Sequence, residues 1–250
     1  MLIYLIAVIG AFLAGCVNTL AGNGSAITLT ILMELLGLPP DVANGTNRLG
    51  VVAQGLAGTY AFEREDRLRP NLNWRVIIWV SLGALLGMYL SIVISPEGYR
   101  LVFRYLLIFM LVVILVKPKR WLVSNPDREP ISPWLAVPML FLLGVYGGFI
   151  QMGMGVFFLA VLVLIDGYDI INANVLKGVT VAVYTLFAVA FFAYQGLIDW
   201  KIGGLMAIGQ LVGGFLTATY ASRYPQANVW AYRLLVIVII GAIARAFWPF

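Results

Sequence analysis

The chain has 250 residues, 62% of them hydrophobic and 11% charged, with a net charge of +5 and a mean hydropathy of +0.96. A soluble domain is about half apolar and a quarter charged, so composition points to an all-α integral membrane protein with little length left for a soluble domain. No histidine and a single cysteine, Cys16, exclude a disulfide, structural zinc, haem and histidine relays within the chain, and no cofactor is expected.

Leu2 to Ala21 is apolar and long enough to span, at roughly 20 residues for a ~30 Å hydrocarbon core. It has no basic n-region and no cleavage site, so it reads as a first membrane segment rather than a cleaved signal. The stretch Ala21-Gly22-Asn23-Gly24-Ser25 then breaks the pattern. Ile27 to Gly37 follows as a short apolar run, about 11 residues or ~17 Å of helix, which is half a crossing. Pro39-Pro40 stops it. Asp41 opens the next run, which continues through Asn44, Thr46, Asn47 and Arg48 to Phe62. After a polar loop from Glu63 to Arg75, the spacing predicts spans over Trp74 to Ile94 and Leu101 to Val116.

A stretch rich in proline and charge, centred on residues 118–133, separates this first membrane repeat (1–117) from a second (134–250). In the second, Trp134 to Ile150 is long, Gln151-Met152-Gly153-Met154-Gly155 breaks the pattern, and Val156 to Ile165 is short. Long runs follow over Ala173 to Tyr194, Trp200 to Ala221 and Val229 to Phe247. The halves match in order. Gly22-x-Gly24 answers Gly153-x-Gly155. Ala43-Asn44 followed by Arg48 answers Ala173-Asn174 followed by Lys177. Trp74 with Gly83 and Gly87 answers Trp200 with Gly209 and Gly213. Such ordered, low-identity matches are how old internal duplications look.

The basic residues decide orientation. Arg64, Arg67, Arg69 and Arg75 crowd the first loop, the counterpart loop in the second half carries only Lys201, and the central linker holds Lys117, Lys119, Arg120 and Arg128. The positive-inside rule makes the first loop and the linker cytoplasmic. The counterpart loop then lies outside, so the two repeats are inverted. Each half is a long-plus-short helix pair broken at a glycine motif, followed by three transmembrane helices. If the long first run crosses alone, each half has four spans and the repeats are parallel; the inverted arrangement is the reading adopted. The basic loops are topology signals, and no nucleic-acid partner is expected.

Backbone freed at a break inside lipid must be buried in protein or line a wet cavity, and paired breaks in two halves point to a transporter's binding site. Gly22, Gly24, Gly153 and Gly155 let backbone N–H groups approach an anion, while Asn23, Ser25 and Gln151 add side-chain donors. Asn44, Thr46 and Asn47, with Asn174 opposite, are placed on the same cavity. Arg48 and Lys177 are basic residues early in equivalent helices. Each is either a functional charge, since an ionisable group in a membrane is costly, or a side chain that snorkels to the headgroups. Glu34, Asp166 and Asp169 read as interfacial, solvated carboxylates. Gly83-x-x-x-Gly87 and Gly209-x-x-x-Gly213 permit close helix contact, read as packing between the repeats rather than as a dimer seam.

The string Gly37-Leu-Pro-Pro-Asp-Val-Ala-Asn-Gly-Thr-Asn-Arg48, with Ala21-Gly-Asn-Gly-Ser-Ala26 and Gly144-Val-Tyr-Gly-Gly-Phe149, resembles the sulfite exporter TauE/SafE family over essentially the whole chain. The resemblance implies a permease for small sulfur-containing anions such as sulfite or an organosulfonate, driven by ion gradients and acting as an exporter. Asn23 stands where that family has a glycine run, and Gln151-Met152 departs from its Gly-Pro-Gly-Thr-Gly. The expectation is a multi-pass protein of the cell inner (plasma) membrane, a secondary transporter working by alternating access and not an enzyme. Its expected partners are a small anion substrate, the lipid bilayer, a second copy in a homodimer and a coupling proton or other ion. A non-transporting membrane subunit and an anion channel are the alternatives.

Overall fold

The computed structural model describes residues 2–64, 72–115, 132–165, 168 and 170–220, together with 233, 236–237, 239–241, 243–244 and 247. The central linker, Arg67, Arg69, Asp166, Asp169 and most of the final apolar run lie outside the described residues. Every element among the described residues is helical: α1 (Leu2–Ala21), α2 (Gly24–Thr30), α3 (Pro40–Arg64), α4 (Trp74–Val93), α5 (Pro96–Leu115), α6 (Pro133–Phe149), α7 (Met154–Ala160), α8 (Ile170–Tyr194) and α9 (Trp200–Tyr220).

The two expected breaks are present, after Ala21 and after Phe149, and each leads into a short helix. α2 and α7 have seven residues each and both run into a five-residue π-helical turn, Ile31–Leu35 and Val161–Ile165. The local hydrogen bonds repeat as well. Leu38 N–H donates to Leu32 O at 2.9 Å and Tyr168 N–H to Leu162 O at 3.0 Å, while Ala26 N–H to Asn23 O (3.3 Å) has its counterpart in Val156 N–H to Gly153 O (3.0 Å). The helices that follow, α3 and α8, are both 25 residues long. The order of elements therefore repeats down to the hydrogen-bonding pattern of the short helices.

Helix starts are set by local polar groups that hydropathy does not weigh. The Asn73 side chain accepts from Arg75 and Val76 N–H at the start of α4, and Asp199 Oδ1 accepts from Ile202 N–H (2.9 Å) at the start of α9. α5 begins at Pro96, five residues before the expected Leu101. Proline is suited to the first helical position and Ser95 Oγ accepts from Gly98 N–H (3.1 Å), so the polar segment Glu97 to Arg100 is helical although it is not apolar.

Packing exchanges elements between the halves. α1 packs against α9, α6 against α4, and α3 against both α8 and α9. Gly83 and Gly87 of α4 lie against the Phe141 and Val145 carbonyls of α6, and Gly209 and Gly213 of α9 against the Val8 and Phe12 carbonyls of α1, where a Cβ would collide with backbone. Both small-residue pairs thus serve packing between the halves.

The distribution of polarity is that of a bilayer protein. Ile78, Leu82, Leu85, Leu86 and Tyr89 on α4, and Ile208, Leu211 and Phe215 on α9, face outward, while Asn23, Thr28, Asn44, Asn47 and Arg48 are buried. Such burial of charge and amides beneath an apolar surface inverts the usual arrangement in water. By length and composition, Trp74–Val93 and Asn172–Tyr194 are long and apolar enough to cross a membrane.

Candidate functional site

The two breaks meet. Gly22 and Gly153 adopt left-handed backbone, φ +68° and +71°, as does Gln151 at +61°, and such values reverse the chain where an L side chain is disfavoured. Gly155 N–H donates to Gly22 O at 3.1 Å, joining one break to the other through the backbone. A Cβ on Gly22 would stand 2.8 Å from Gly155 Cα, and a Cβ on Gly155 would stand 2.6 Å from Gly22 Cα. Only glycine at both positions allows this approach. Gly22, Asn23, Gly24, Ser25, Gln151, Gly153 and Gly155 are all buried.

Arg48 fastens the second break. The last carbonyls of any helix lack an intrahelical partner, and at the end of α6 Gly147 and Gly148 are buried within the protein. Arg48 Nη1 donates to Gly147 O (2.9 Å) and Gln151 Oε1 (2.9 Å); its Nη2 donates to Gly148 O (2.7 Å) and Asn44 Oδ1 (3.0 Å). Asn44 Nδ2 donates to Phe149 O at 2.9 Å, so α3 closes off three consecutive carbonyls of α6. Gln151 passes the network to α8 through Tyr184 Oη (3.2 Å) and Thr185 Oγ1 (3.3 Å). The Arg48 side chain is 0% exposed, which rules out snorkelling to a headgroup. All four of its acceptors are neutral, and its Nε–H has no partner.

Neutral groups do the corresponding work at the first break. Gln54 Nε2 donates to Gly15 O (3.0 Å) and Thr19 Oγ1 (2.9 Å), Asn18 Nδ2 donates to Gln54 Oε1 (3.1 Å), and Asn18 Oδ1 accepts from Gly24 N–H (3.3 Å). The only charge in the two networks is that of Arg48, where the guanidinium lies 5.8 Å from the Phe192 ring.

The other expected residues divide. Asn47 Oδ1 accepts from Thr28 Oγ at 2.5 Å, while its Nδ2 has no partner. Asn23 has neither its Oδ1 nor its Nδ2 paired and is 0% exposed. Leaving a buried polar atom unpaired costs about 1–3 kcal/mol, so the placement of Asn23 is a costly one. Thr46 Oγ1 accepts from Asp199 N–H (2.9 Å) and tethers the start of α9 instead. Lys177 Nζ donates to Asn174 Oδ1 (2.7 Å) on its own helix and is partly exposed. Because α3 and α8 are of equal length, Asn44 and Asn174 occupy equivalent positions whereas Lys177 is level with Asn47, so Arg48 and Lys177 do not correspond in register.

Sequence reasoning missed Asn18, Gln54, Thr28, Tyr184 and Thr185, all of which complete the networks. Gln54 carries a signal, being an amide in the middle of an apolar helix. The tyrosine and threonines carry none, because both types are ordinary in apolar helices. Tyr146 Oη donates to Met152 O and supports the second break from within α6.

A buried guanidinium with neutral partners, next to unpaired amide N–H groups where two broken helices touch, gives positive potential and donors without a counter-charge. That arrangement suits an anion. The comparisons agree with a membrane transporter. The chain is 28% identical over 240 residues to a probable membrane transporter protein of Sinorhizobium sp, covering 95% of this chain and 88% of that protein. It is 29% identical over 209 residues to a probable membrane transporter protein of Haemophilus influenzae, covering 83% and 80%. The probable membrane transporter protein YfcA of Escherichia coli is 25% identical over 238 residues, covering 94% and 86%. No solved structure matches the chain significantly. The model of the sulfite exporter TauE/SafE family matches residues 7–246, and with broken helices, a buried cation and transporter relatives along nearly its whole length, the chain belongs to that family of membrane transporters.

Proposed function

We propose that the protein is a secondary transporter that exports a small sulfur-containing oxyanion, sulfite or an organosulfonate, across the plasma membrane by alternating access between two inverted repeats. The observation that carries this reading is the fully buried Arg48, hydrogen-bonded only to neutral groups and adjoining a break that touches its counterpart directly. The substrate is held at the junction by Asn23, Ser25 and Asn47, with Gly22, Gly24, Gly153 and Gly155 allowing close approach and Arg48 supplying the charge. Thr46, Asn44 and Gln151 fix the elements around it, and Asn174 with Lys177 lies on the path of the anion.

Complete burial of the Asn23 amide, with backbone joined to backbone across the two breaks, favours a carrier that encloses its substrate over an open channel. The test is sulfite efflux from liposomes containing the purified protein. Saturable efflux accelerated by sulfite on the opposite side is expected, and Asn23→Leu should abolish it while the protein stays folded in the membrane. Non-saturating flux identifies a channel, and absence of flux for every sulfur anion leaves a non-transporting subunit.

A further inference from the structure

Asn23 sits at the N-cap of α2, where asparagine ordinarily accepts a hydrogen bond from the second or third amide of the helix. Its side chain makes no such bond. Asn18 of the preceding helix accepts from the first amide of α2, Gly24 N–H, at 3.3 Å. The side-chain amide of Asn23 is left with donor and acceptor both buried and unpaired. Gly153, at the equivalent N-cap of α7, has no side chain, and the position its Cβ would take lies 3.4 Å from Asn23 Oδ1. A single amide therefore faces both breaks.

Two further unpaired donors lie on α3, which packs against α2. They are Asn47 Nδ2 and Arg48 Nε, whose other polar atoms are already engaged with Thr28 and with α6. Around the two breaks the unpaired atoms are thus N–H groups on three side chains, the Tyr99 hydroxyl beside Phe149, and one acceptor that cannot itself donate, Asn23 Oδ1. Turning the Asn23 amide over exchanges its O and N but leaves one acceptor in either pose.

Resting on the anion reading above, we propose that the substrate is a monoanion that itself donates one hydrogen bond, received by Asn23. Its oxygens accept from the N–H groups, and its single negative charge matches the single charge of Arg48. A fully deprotonated dianion would set a lone pair against Asn23 Oδ1 and leave that oxygen buried without a donor. Two kinds of molecule share the required chemistry: a singly protonated oxyanion, and a sulfonate carrying a hydroxyl group.

The experiment is calorimetric titration of the purified full-length protein in nanodiscs. One arm compares ethanesulfonate with 2-hydroxyethanesulfonate, which has the same charge and adds one donor. The other titrates sulfite on either side of its own pKa, with sulfate at the same two pH values to report any titration of the protein itself. The donor-bearing form should bind at least about tenfold more tightly in one arm, because a site built around a substrate donor rejects the analogue that lacks it. The arm that discriminates identifies the source. Asn23→Ala should bring the two forms to equal affinity, and the wild-type comparison stands even if that variant does not fold. Equal binding of all the anions, or retained discrimination in Asn23→Ala, overturns the donor requirement and leaves the anion reading intact. Binding of none of them overturns both.

Discussion

Arg48→Gln is expected to lower the stability of the folded protein by about 2–6 kcal/mol, the sum for two buried carbonyls left without donors. The carbonyls of Gly147 and Gly148 are the ones exposed by the change, because the Asn44 and Gln151 side chains can turn and re-pair while backbone cannot. Both glycines are buried within the protein, away from solvent that could replace the lost donors. Arg48→Lys should fall between the two, since it restores the charge without the planar fork that reaches both carbonyls and both amides at once. Thermal unfolding of detergent-purified variants provides the measurement, with Tm ordered wild type, then Lys, then Gln. A Gln variant that melts with the wild type would mean that α6 ends without the help of α3.

The second large effect is expected at Gly155. A methyl group there meets Gly22 Cα at 2.6 Å and Gly22 O at 2.6 Å, and it also forces apart the 3.1 Å bond between Gly155 N–H and Gly22 O. Overpacking of a filled interior costs about 1–3 kcal/mol, and Gly155→Ala belongs at the upper end because the obstacle is backbone rather than a flexible side chain. Transport should be lost with it. Gly58→Ala is the control, since Gly58 lies within α3 with nothing within 4 Å of its Cβ position, and a glycine-to-alanine change in an open helix gains about 0.5–1 kcal/mol. Melting curves and efflux on the same preparations check both. A Gly155→Ala protein as stable and active as wild type would separate the two breaks.

What could be read from residues alone follows from which interactions are local. The breaks at Gly22 and Gly153 were legible because an apolar run interrupted by glycine and amide is costly in lipid at any position. The paired short helices and the Gly83 and Gly87 contact surface followed from spacing. The start of α5 was hidden because proline, glutamate and arginine lower hydropathy while Ser95 still caps the helix. The function of Arg48 was hidden for a deeper reason. Its acceptors at Gly147 and Gly148 are backbone atoms about a hundred residues away, and a carbonyl has no letter in a sequence. Asn23 was legible as a polar side chain at the first break, but that both its polar atoms are buried without a partner follows only from the packing around it.

The central claim is that an anion is bound where the two breaks touch. Selenite is a close analogue of sulfite with a strong anomalous scatterer, so a crystal of the protein grown with it reports the site directly. The account predicts an anomalous peak within hydrogen-bonding reach of Asn23, roughly 3 Å from amide nitrogen to anion oxygen, on the side facing Gly153. A peak confined to the loops at a membrane surface, or bound selenite at full occupancy remote from Asn23, would contradict it.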